Sequence, residues 1–392
     1  MNRRQFLAAS AAVTTLGAIS WPATSVRAQP QRESNLTRWS VVTSEGLDAI
    51  AFTGALSEGE LYLANYAKEA AEFGSRLPVE VRAELIALRK DADGSGFGLL
   101  WPGLANMLSG TDVSTIDAVL AAIGEPEARI RPALQASQYW DENNWRWFAA
   151  SAPRLQRVFE AMRDAGFAAY RKQLIGAGLD ARAAELQRAL SDYDVIRWQQ
   201  KLSGRTFDPT INIVLLYFSK PHGVRVQGQR FLQAADYNLT TTLRIAAHEL
   251  LHPPFDLEGP VAKAAMAVLA KDPLIKRIVR DHDPRWGYTT LDGYLNEDVA
   301  QALDQMISEA LGFARNPADR WNRNDDGMHV LAAGLYALLR EDRWHETGGS
   351  IEQWIDRATK QGRLAPKILH PAAARVLNRP SNRLWPLPAA KS

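Results

Sequence analysis

The stretch AAHELLHPPFD, residues 246–256, decides how the rest of the chain is interpreted. It contains His248, Glu249 and His252 at HExxH spacing. Residues four apart lie one above the other on a helix, so both imidazoles can point at one metal ion. Glu249 stands beside that face, where a carboxylate can take a proton from a zinc-bound water. The pattern therefore predicts a zinc site at the end of a helix.

Two prolines follow the second histidine directly. Pro253 has no N–H to give to the carbonyl of Glu249, and its ring would clash there if the helix continued. We therefore expect the helix to end at about His252, after the last residue that the metal needs. A straight continuation of this helix is excluded as the source of a third metal ligand.

Three carboxylates further along the chain are candidates for that third ligand. Asp256 lies four residues beyond His252, Asp292 lies in TTLDGYLNED, and Glu297 lies at the predicted start of a helix that runs to about Gly312. The chain has no cysteine, so a metal must be held by histidines and carboxylates. The spacing alone leaves all three carboxylates open.

The segment 245–330 resembles the gluzincin metallopeptidases, such as thermolysin. In that clan a glutamate that follows an asparagine, here Glu297 after Asn296, supplies the third ligand. The later segment NDDGMHVLAAGLY, residues 324–336, resembles the thermolysin-family stretch whose histidine stabilises the oxyanion. The resemblance implies one Zn²⁺ ion with His248, His252 and Glu297 as its ligands. It also implies that Glu249 is the base and that His329, oriented by Asp325 or Asp326, is the electrophile.

The chain departs from this family at several positions. A proline directly after HExxH is unusual there, and Gln301 replaces the acidic residue that orients a zinc histidine. Asp304, one helical turn further, is the candidate replacement, because such carboxylates fix the histidine tautomer. Tyr288 and Tyr294 are rivals of His329 as the oxyanion donor.

The N-terminus, MNRRQFLAASAAVTTLGAISWPATSVRAQP, has the composition of an export signal. Arg3 and Arg4 precede a weakly apolar run, and Ala28 ends an A-x-A-like cleavage site. Asn-Arg-Arg-Gln-Phe-Leu resembles the bacterial twin-arginine signal. It predicts export by the twin-arginine machinery and a periplasmic or secreted location.

The charge balance argues against several classes of partner. The chain has 46 Lys and Arg against 44 Asp and Glu, and the signal contains Arg3, Arg4 and Arg27 but no acidic residue. The mature protein is therefore near neutral, and we expect neither nucleic acid nor an anionic membrane as its partner. No later stretch is long and apolar enough to predict a membrane span after signal removal.

Periodicity predicts a mainly α protein with a small β-sheet (α+β), in which a zincin-like catalytic core lies next to a helical bundle. The expected segments are the signal 1–28, a polar leader 29–55, a helical region 56–205, a zincin-like region 206–375 and an irregular tail 376–392.

Two further stretches have specific expectations. Strands are predicted at Ile211–Phe218 and Val224–Gln227, as a hairpin or part of a small sheet. The latter, or Arg230–Ala234, is the expected edge strand for binding an extended peptide. The segment YWDENNWRWF, residues 139–148, is interpreted as core packing between helices, with a sugar- or peptide-binding surface as the alternative.

These observations predict an exported zinc hydrolase, in particular a metallopeptidase that acts on a peptide or protein. The alternative is a non-catalytic helical periplasmic binding or scaffold protein with a degenerate metal site.

Overall fold

A computed structural model describes residues 35–175 and 177–386. The expected export signal, residues 1–28, lies outside the described residues, as do residues 29–34 of the leader and 387–392 of the tail. The described chain is mainly helical with one four-stranded sheet, which confirms the predicted α+β class. It forms two compact units that interleave along the sequence.

The first unit contains residues 39–190 and 210–242. Its elements are the strands β1 Arg38–Thr43, β2 Thr210–Leu216, β3 Val224–Val226 and β4 Arg230–Ala234, and the helices α1 Glu45–Leu56, α2 Glu60–Gly74, α3 Val79–Ser95, α4 Leu100–Leu108, α5 Ile116–Gly124, α6 Pro126–Arg129, α7 Arg131–Gln135, α8 Glu142–Asp164, α9 Phe167–Ile175 and α10 Gly178–Leu190.

The predicted polar leader 29–55 is wrong for its second half. Strand β1 and helix α1 occupy this stretch, and α1 is buried along almost its whole length. Ser44 caps the helix by accepting from the amide of Leu47, and the buried Asp48 pairs with Arg171 at 2.7 Å. The helix consists largely of small residues and is buried all round, so it has no amphipathic stripe for periodicity to detect.

The sheet has the order β1-β2-β4-β3. Strand β4 pairs in parallel with β2 and antiparallel with β3. Strands β2 and β3 are therefore part of a small sheet, the second of the two predicted arrangements, and do not form a hairpin with each other. The tight hairpin joins β3 to β4 through residues 227–229, where Gly228 supplies the positive φ of 78°. Arg230–Ala234 is therefore an inner strand and cannot be the predicted edge, whereas β3 is an edge strand.

The Trp-rich segment contributes to the core of the first unit. Asp141 caps α8 by accepting from the amides of Asn143 and Asn144 at 2.9 Å, and Trp145 and Phe148 are buried. This burial supports the interpretation of the segment as core packing.

The second unit contains residues 35–38, 191–209 and 243–386 of the described chain. Its helices are α11 Val195–Ser203, α12 Leu239–Glu249, whose first residues belong to the first unit, α13 Pro260–Leu269, α14 Pro273–Asp281, α15 Leu291–Leu311, α16 Pro317–Arg323, α17 Val330–Glu341, α18 Trp344–Thr347, α19 Ile351–Lys360 and α20 Pro366–Leu377. The predicted boundary near residue 205 differs from this division, because strands β2 to β4 belong with the N-terminal helices.

Helix α15 is the central element of the second unit. Thr290 caps it by accepting from the amide of Gly293, and Gly312 ends it in the left-handed conformation. The helix is buried continuously from Tyr294 to Ser308, although it contains several polar and charged residues. No helix in the part of the chain that the structure describes is both long and apolar enough to cross a lipid bilayer.

Candidate metal centre

Helix α12 and the turn after it position the two histidines of the motif. The helix ends at Glu249, three residues before the predicted end. The amides of Leu251 and His252 then bond to the carbonyls of His248 and Glu249, three residues back rather than four. This tighter turn precedes Pro253, which has no N–H to continue the pattern. It keeps the two histidine rings 4.7 Å apart between centroids.

Helix α15 supplies the third member of the centre. Glu297 lies in the second turn, because the helix begins at Leu291, earlier than predicted. Glu297, Gln301 and Asp304 are four and then three residues apart, so they share one face of the helix. That face contacts the histidines from α12. A single buried helix therefore provides both a candidate ligand and the groups that surround it.

The three candidate ligands converge with the spacing of a metal site. The Nε2 atoms of His248 and His252 are 3.0 Å apart. Nε2 of His248 lies 3.4 Å from Oε1 of Glu297, and Nε2 of His252 lies 3.4 Å from Oε2 of the same carboxylate. A tetrahedral zinc ion bound at about 2.0–2.1 Å keeps its ligand atoms about 3.3 Å apart. The buried Oε2 atom of Glu297 has no hydrogen-bond partner among the described residues. The three side chains could therefore hold one metal ion.

Hydrogen bonds on the far side of each imidazole fix the histidine tautomers. The Nδ1 atom of His248 lies 2.6 Å from Oδ2 of Asp304, and Nδ1 of His252 lies 3.3 Å from Oδ1 of Asn296. Both partners are acceptors, so each Nδ1 donates its hydrogen outward. In the neutral form of each imidazole, the Nε2 lone pair then points toward the carboxylate of Glu297. The two Nε2 atoms and the two carboxylate oxygens repel one another at these distances unless a proton or a metal ion lies between them.

A further layer of buried groups holds these partners in place. Arg320 donates to both oxygens of Asp304, with Nη2 3.0 Å from Oδ2. The side chain of Gln301 donates to Oε1 of Glu297 at 2.9 Å and accepts from the indole of Trp321 at 2.7 Å. The predicted contact between Asp304 and His248 is thus present, while Gln301 orients the carboxylate instead of a histidine. Trp321 and Arg320 were not expected from the sequence.

The electrostatic environment of the centre favours a cation. Burial raises the pKa of Glu297, but the surrounding imidazoles of His248, His252 and His329 outweigh it and lower that pKa. Burial likewise lowers the pKa of His248, and the carboxylates of Glu297 and Asp304 reverse this effect and raise the pKa well above its usual value. Ionised carboxylates thus surround the imidazoles from two sides.

The other proposed ligands lie outside this cluster. Asp256 is exposed and accepts from the amide of Glu258 at 3.0 Å, so it organises a turn. Asp292 lies in the first turn of α15, more than one turn before Glu297. Within the described residues, the group with metal-site spacing comprises His248, His252 and Glu297. The geometry therefore selects Glu297 from the three carboxylates.

The predicted electrophile His329 is wholly buried. Its Nδ1 lies 2.6 Å from Oδ1 of Asp298, and its Nε2 lies 2.9 Å from Oδ2 of Asp325. Burial lowers the pKa of His329, but the two carboxylates outweigh it and raise the pKa to about 10. The imidazole is therefore charged at neutral pH and both of its nitrogens are engaged. Asp298 directly follows Glu297 on α15, and no motif in the sequence singles it out.

The two rival donors differ in their surroundings. Tyr294 is buried, donates to the carbonyl of Met328 at 2.7 Å and accepts from the amide of Leu331, which is a structural arrangement. Burial and the charges of Glu297, Asp325 and Glu249 raise the pKa of Tyr288 well above its usual value. The Tyr288 phenol is therefore protonated and lies among the carboxylates of the centre, including the predicted base.

Backbone strain is concentrated beside these groups. Tyr288, Asp325 and Asp326 have positive φ angles of 56°, 47° and 50°. Each such residue other than glycine costs about 1–3 kcal/mol, and strained residues cluster at functional sites. Asp326, the other predicted partner of His329, instead accepts from the Trp385 indole at 3.3 Å. The loops that hold Tyr288 and Asp325 are thus fixed in an unusual conformation next to the candidate ligands.

No protein-family model, curated protein or solved structure matches the chain.

Proposed function

We propose that this protein is an exported zinc-dependent hydrolase, and that it is a metallopeptidase. The observation that supports the proposal most directly is the convergence of two Nε2 atoms and one carboxylate at 3.0–3.4 Å, with both Nδ1 atoms held outward. Two imidazoles and a carboxylate form the ligand set of many catalytic zinc sites, which keep a fourth position open. When bound, zinc polarises a carbonyl and lowers the pKa of a coordinated water.

Glu249 is the proposed general base. It directly follows the ligand His248 and is partly exposed at the end of α12. Its carboxylate takes a proton from the attacking water and later gives it to the leaving amine, so it acts first as a base and then as an acid. Proton transfer by a positioned carboxylate contributes about 10²–10⁴ in rate.

Tyr288 is the proposed oxyanion donor. Its protonated phenol lies beside Glu297 and Glu249, whereas His329 has no exposed surface and donates to two aspartates. A donor aimed at the developing negative charge lowers the barrier more than it stabilises the bound substrate. His329 is assigned a positioning role, because it holds Asp325 and Asp298 beside the centre.

Export rests on the N-terminal pattern of Arg3, Arg4 and Ala28, which lies outside the described residues. The twin-arginine route, the periplasmic or secreted location and a peptide or protein substrate all belong to this proposal.

The proposal is tested by digesting a mixed peptide library with the zinc-loaded wild type and with Glu249→Gln. We expect cleavage by the wild type, and no cleavage by a variant that still binds zinc as tightly. Leu250→Met, a volume-conserving change of a buried neighbour, is the control and is expected to cleave normally. Zinc binding without cleavage by the wild type would contradict the enzymatic proposal and favour a metal-binding scaffold.

A further inference from the structure

Three arginines of the second unit gather behind Asp304. Arg320 holds that carboxylate and also donates to Oε1 of Gln305 at 3.2 Å. Gln305 in turn donates to the backbone carbonyl of Arg315 at 2.9 Å. Arg244 donates to the backbone carbonyl of Phe313 at 3.0 Å. The chain segment 313–315 is thus bonded directly to Arg244, and to Arg320 through the side chain of Gln305.

Among the described residues, Asp304 is the one carboxylate that raises the pKa values of Arg244 and Arg315, whereas Arg320 also lies in the field of Glu297 and Asp325. Asp304 is engaged by Arg320 and His248. Arg315 is partly buried, and its guanidinium has no hydrogen-bond or ion-pair partner among the described residues. The side chain of Arg244 is also partly buried, and its hydrogen bond goes to an uncharged carbonyl. Partly buried cations without an anionic partner are costly.

The charges in the cluster influence each other. Burial and the charges of Arg315 and Arg320 lower the pKa of Arg244 to about 10. Burial and the charge of Arg320 likewise lower the pKa of Arg315, and Asp304 opposes this effect. Like charges held this close repel one another, and an anion between them removes the repulsion.

We propose that Arg244, Arg315 and Arg320 form an anion-binding subsite whose ligand is a carboxylate or a similar oxyanion. Guanidinium groups bind carboxylates and other oxyanions through paired N–H donors in a planar fork, which gives these contacts their strength and direction. Arg315 and Arg244 supply the donors that the protein leaves unused. Arg320 is fixed by Asp304 and contributes mainly charge.

The position of the subsite connects it with the metal centre. Arg244 precedes the ligand His248 by four residues on α12, so the two share one helix face about 6 Å apart along the axis. Arg320 and His248 bind the same carboxylate. We assign the anion to the substrate, and this assignment rests on the proposed hydrolase function. The substrate is then a peptide with an acidic side chain or a free C-terminal carboxylate near the scissile bond.

Thermal unfolding in sulfate tests the subsite without requiring any enzymatic activity. The zinc-loaded protein is titrated with sodium sulfate at constant ionic strength, balanced with chloride. We expect a saturable rise in Tm for the wild type, because a ligand that binds the folded state stabilises it. Arg315→Gln and Arg244→Gln are each expected to weaken sulfate binding by about tenfold or more.

Two further variants protect this test against misfolding and nonspecific salt effects. Arg315→Lys retains the charge and is expected to lose less affinity than Arg315→Gln. Arg323→Gln is the matched control on α16, since Arg323 is exposed and pairs with Asp319 at 3.4 Å. It is expected to respond as the wild type does. An unsaturable response of the wild type, or equal sulfate affinity in Arg315→Gln, overturns the subsite.

A second experiment identifies which carboxylate of the substrate binds to the subsite. Peptides that differ by one acidic residue are compared by kcat/KM, and so are peptides with free and amidated C-termini. We expect the wild type to prefer the acidic or free-carboxylate member of a pair and Arg315→Gln to lose that preference. Sulfate binding without any such preference overturns the assignment to substrate. If no peptide is cleaved, the hydrolase proposal fails, and the sulfate titration still decides the subsite.

Discussion

The hydrogen bond from His248 to Asp304 gives a quantitative prediction for zinc affinity. One carboxylate accepts from Nδ1 of His248 at 2.6 Å and from both terminal nitrogens of Arg320. In Asp304→Asn, one oxygen becomes an NH₂ group that can only donate. Either His248 or Arg320 then faces a donor instead of an acceptor. The substitution therefore removes a hydrogen bond while it changes the side-chain volume very little.

The expected loss follows from the strength of that bond. A hydrogen bond to a charged group contributes about 1.5–3 kcal/mol, and tenfold in affinity corresponds to about 1.4 kcal/mol. Loss of a partner that orients a metal ligand typically costs about 10–100-fold in metal affinity. Both arguments predict that Asp304→Asn weakens zinc binding by about one to two orders of magnitude.

Competition with a chromophoric chelator measures this affinity directly. Asp319→Asn is the matched control, since Asp319 is exposed and its side chain pairs with Arg323. It is expected to bind zinc as the wild type does. Circular dichroism and Tm of the metal-free proteins establish that each variant is folded. If folded Asp304→Asn binds zinc within about threefold of the wild type, the orienting role of this carboxylate is refuted.

Two other predictions concern catalysis and stability. Tyr288→Phe is expected to lower kcat by about 10²–10³ with little change in zinc affinity, because it removes one oxyanion donor; steady-state kinetics check this, and Tyr294→Phe should instead lower Tm. Burial lowers the pKa of His222 from the usual 6.5 to about 4. As the pH falls, His222 is therefore protonated at a higher pH in the unfolded chain than in the folded protein. Its contribution to the free energy of unfolding is complete above pH 6.5 and is lost as the pH falls toward 4, by roughly 3 kcal/mol. Urea unfolding at pH 7 and pH 4 is expected to show a smaller decrease for His222→Gln than for the wild type, and equal decreases would contradict the assignment.

Local periodicity explains why the sequence predicted which side chains of the candidate metal centre lie together. His248 and His252 are four residues apart, and Glu297 and Asp304 lie on one face of a single helix. Side chains at such spacing meet because helix geometry brings them together, whatever the rest of the fold does. The stop at Pro253 was likewise a local effect of proline, although the tighter turn moved the helix end back to Glu249.

Local sequence patterns do not predict contacts between segments that are far apart in the chain. Nothing in the spacing indicates that Trp321 orients Gln301, that Asp298 contacts His329, or that the loop with Tyr288 reaches the carboxylates. The parallel pairing of β4 with β2 depends on how the intervening chain crosses over, and strand patterns do not determine that. The buried helix α1 gives no clear periodic signal, because many of its residues are small rather than strongly apolar.

The metal content of the purified protein tests the central claim most directly. Elemental analysis of the wild type, after removal of loosely bound ions by gel filtration, is expected to find one zinc ion per chain. Glu297→Gln removes a charged ligand and is expected to hold little zinc under the same conditions, while Asp292→Asn retains the full amount. A wild-type protein that contains no stoichiometric zinc, and that takes up none on addition, would contradict the account.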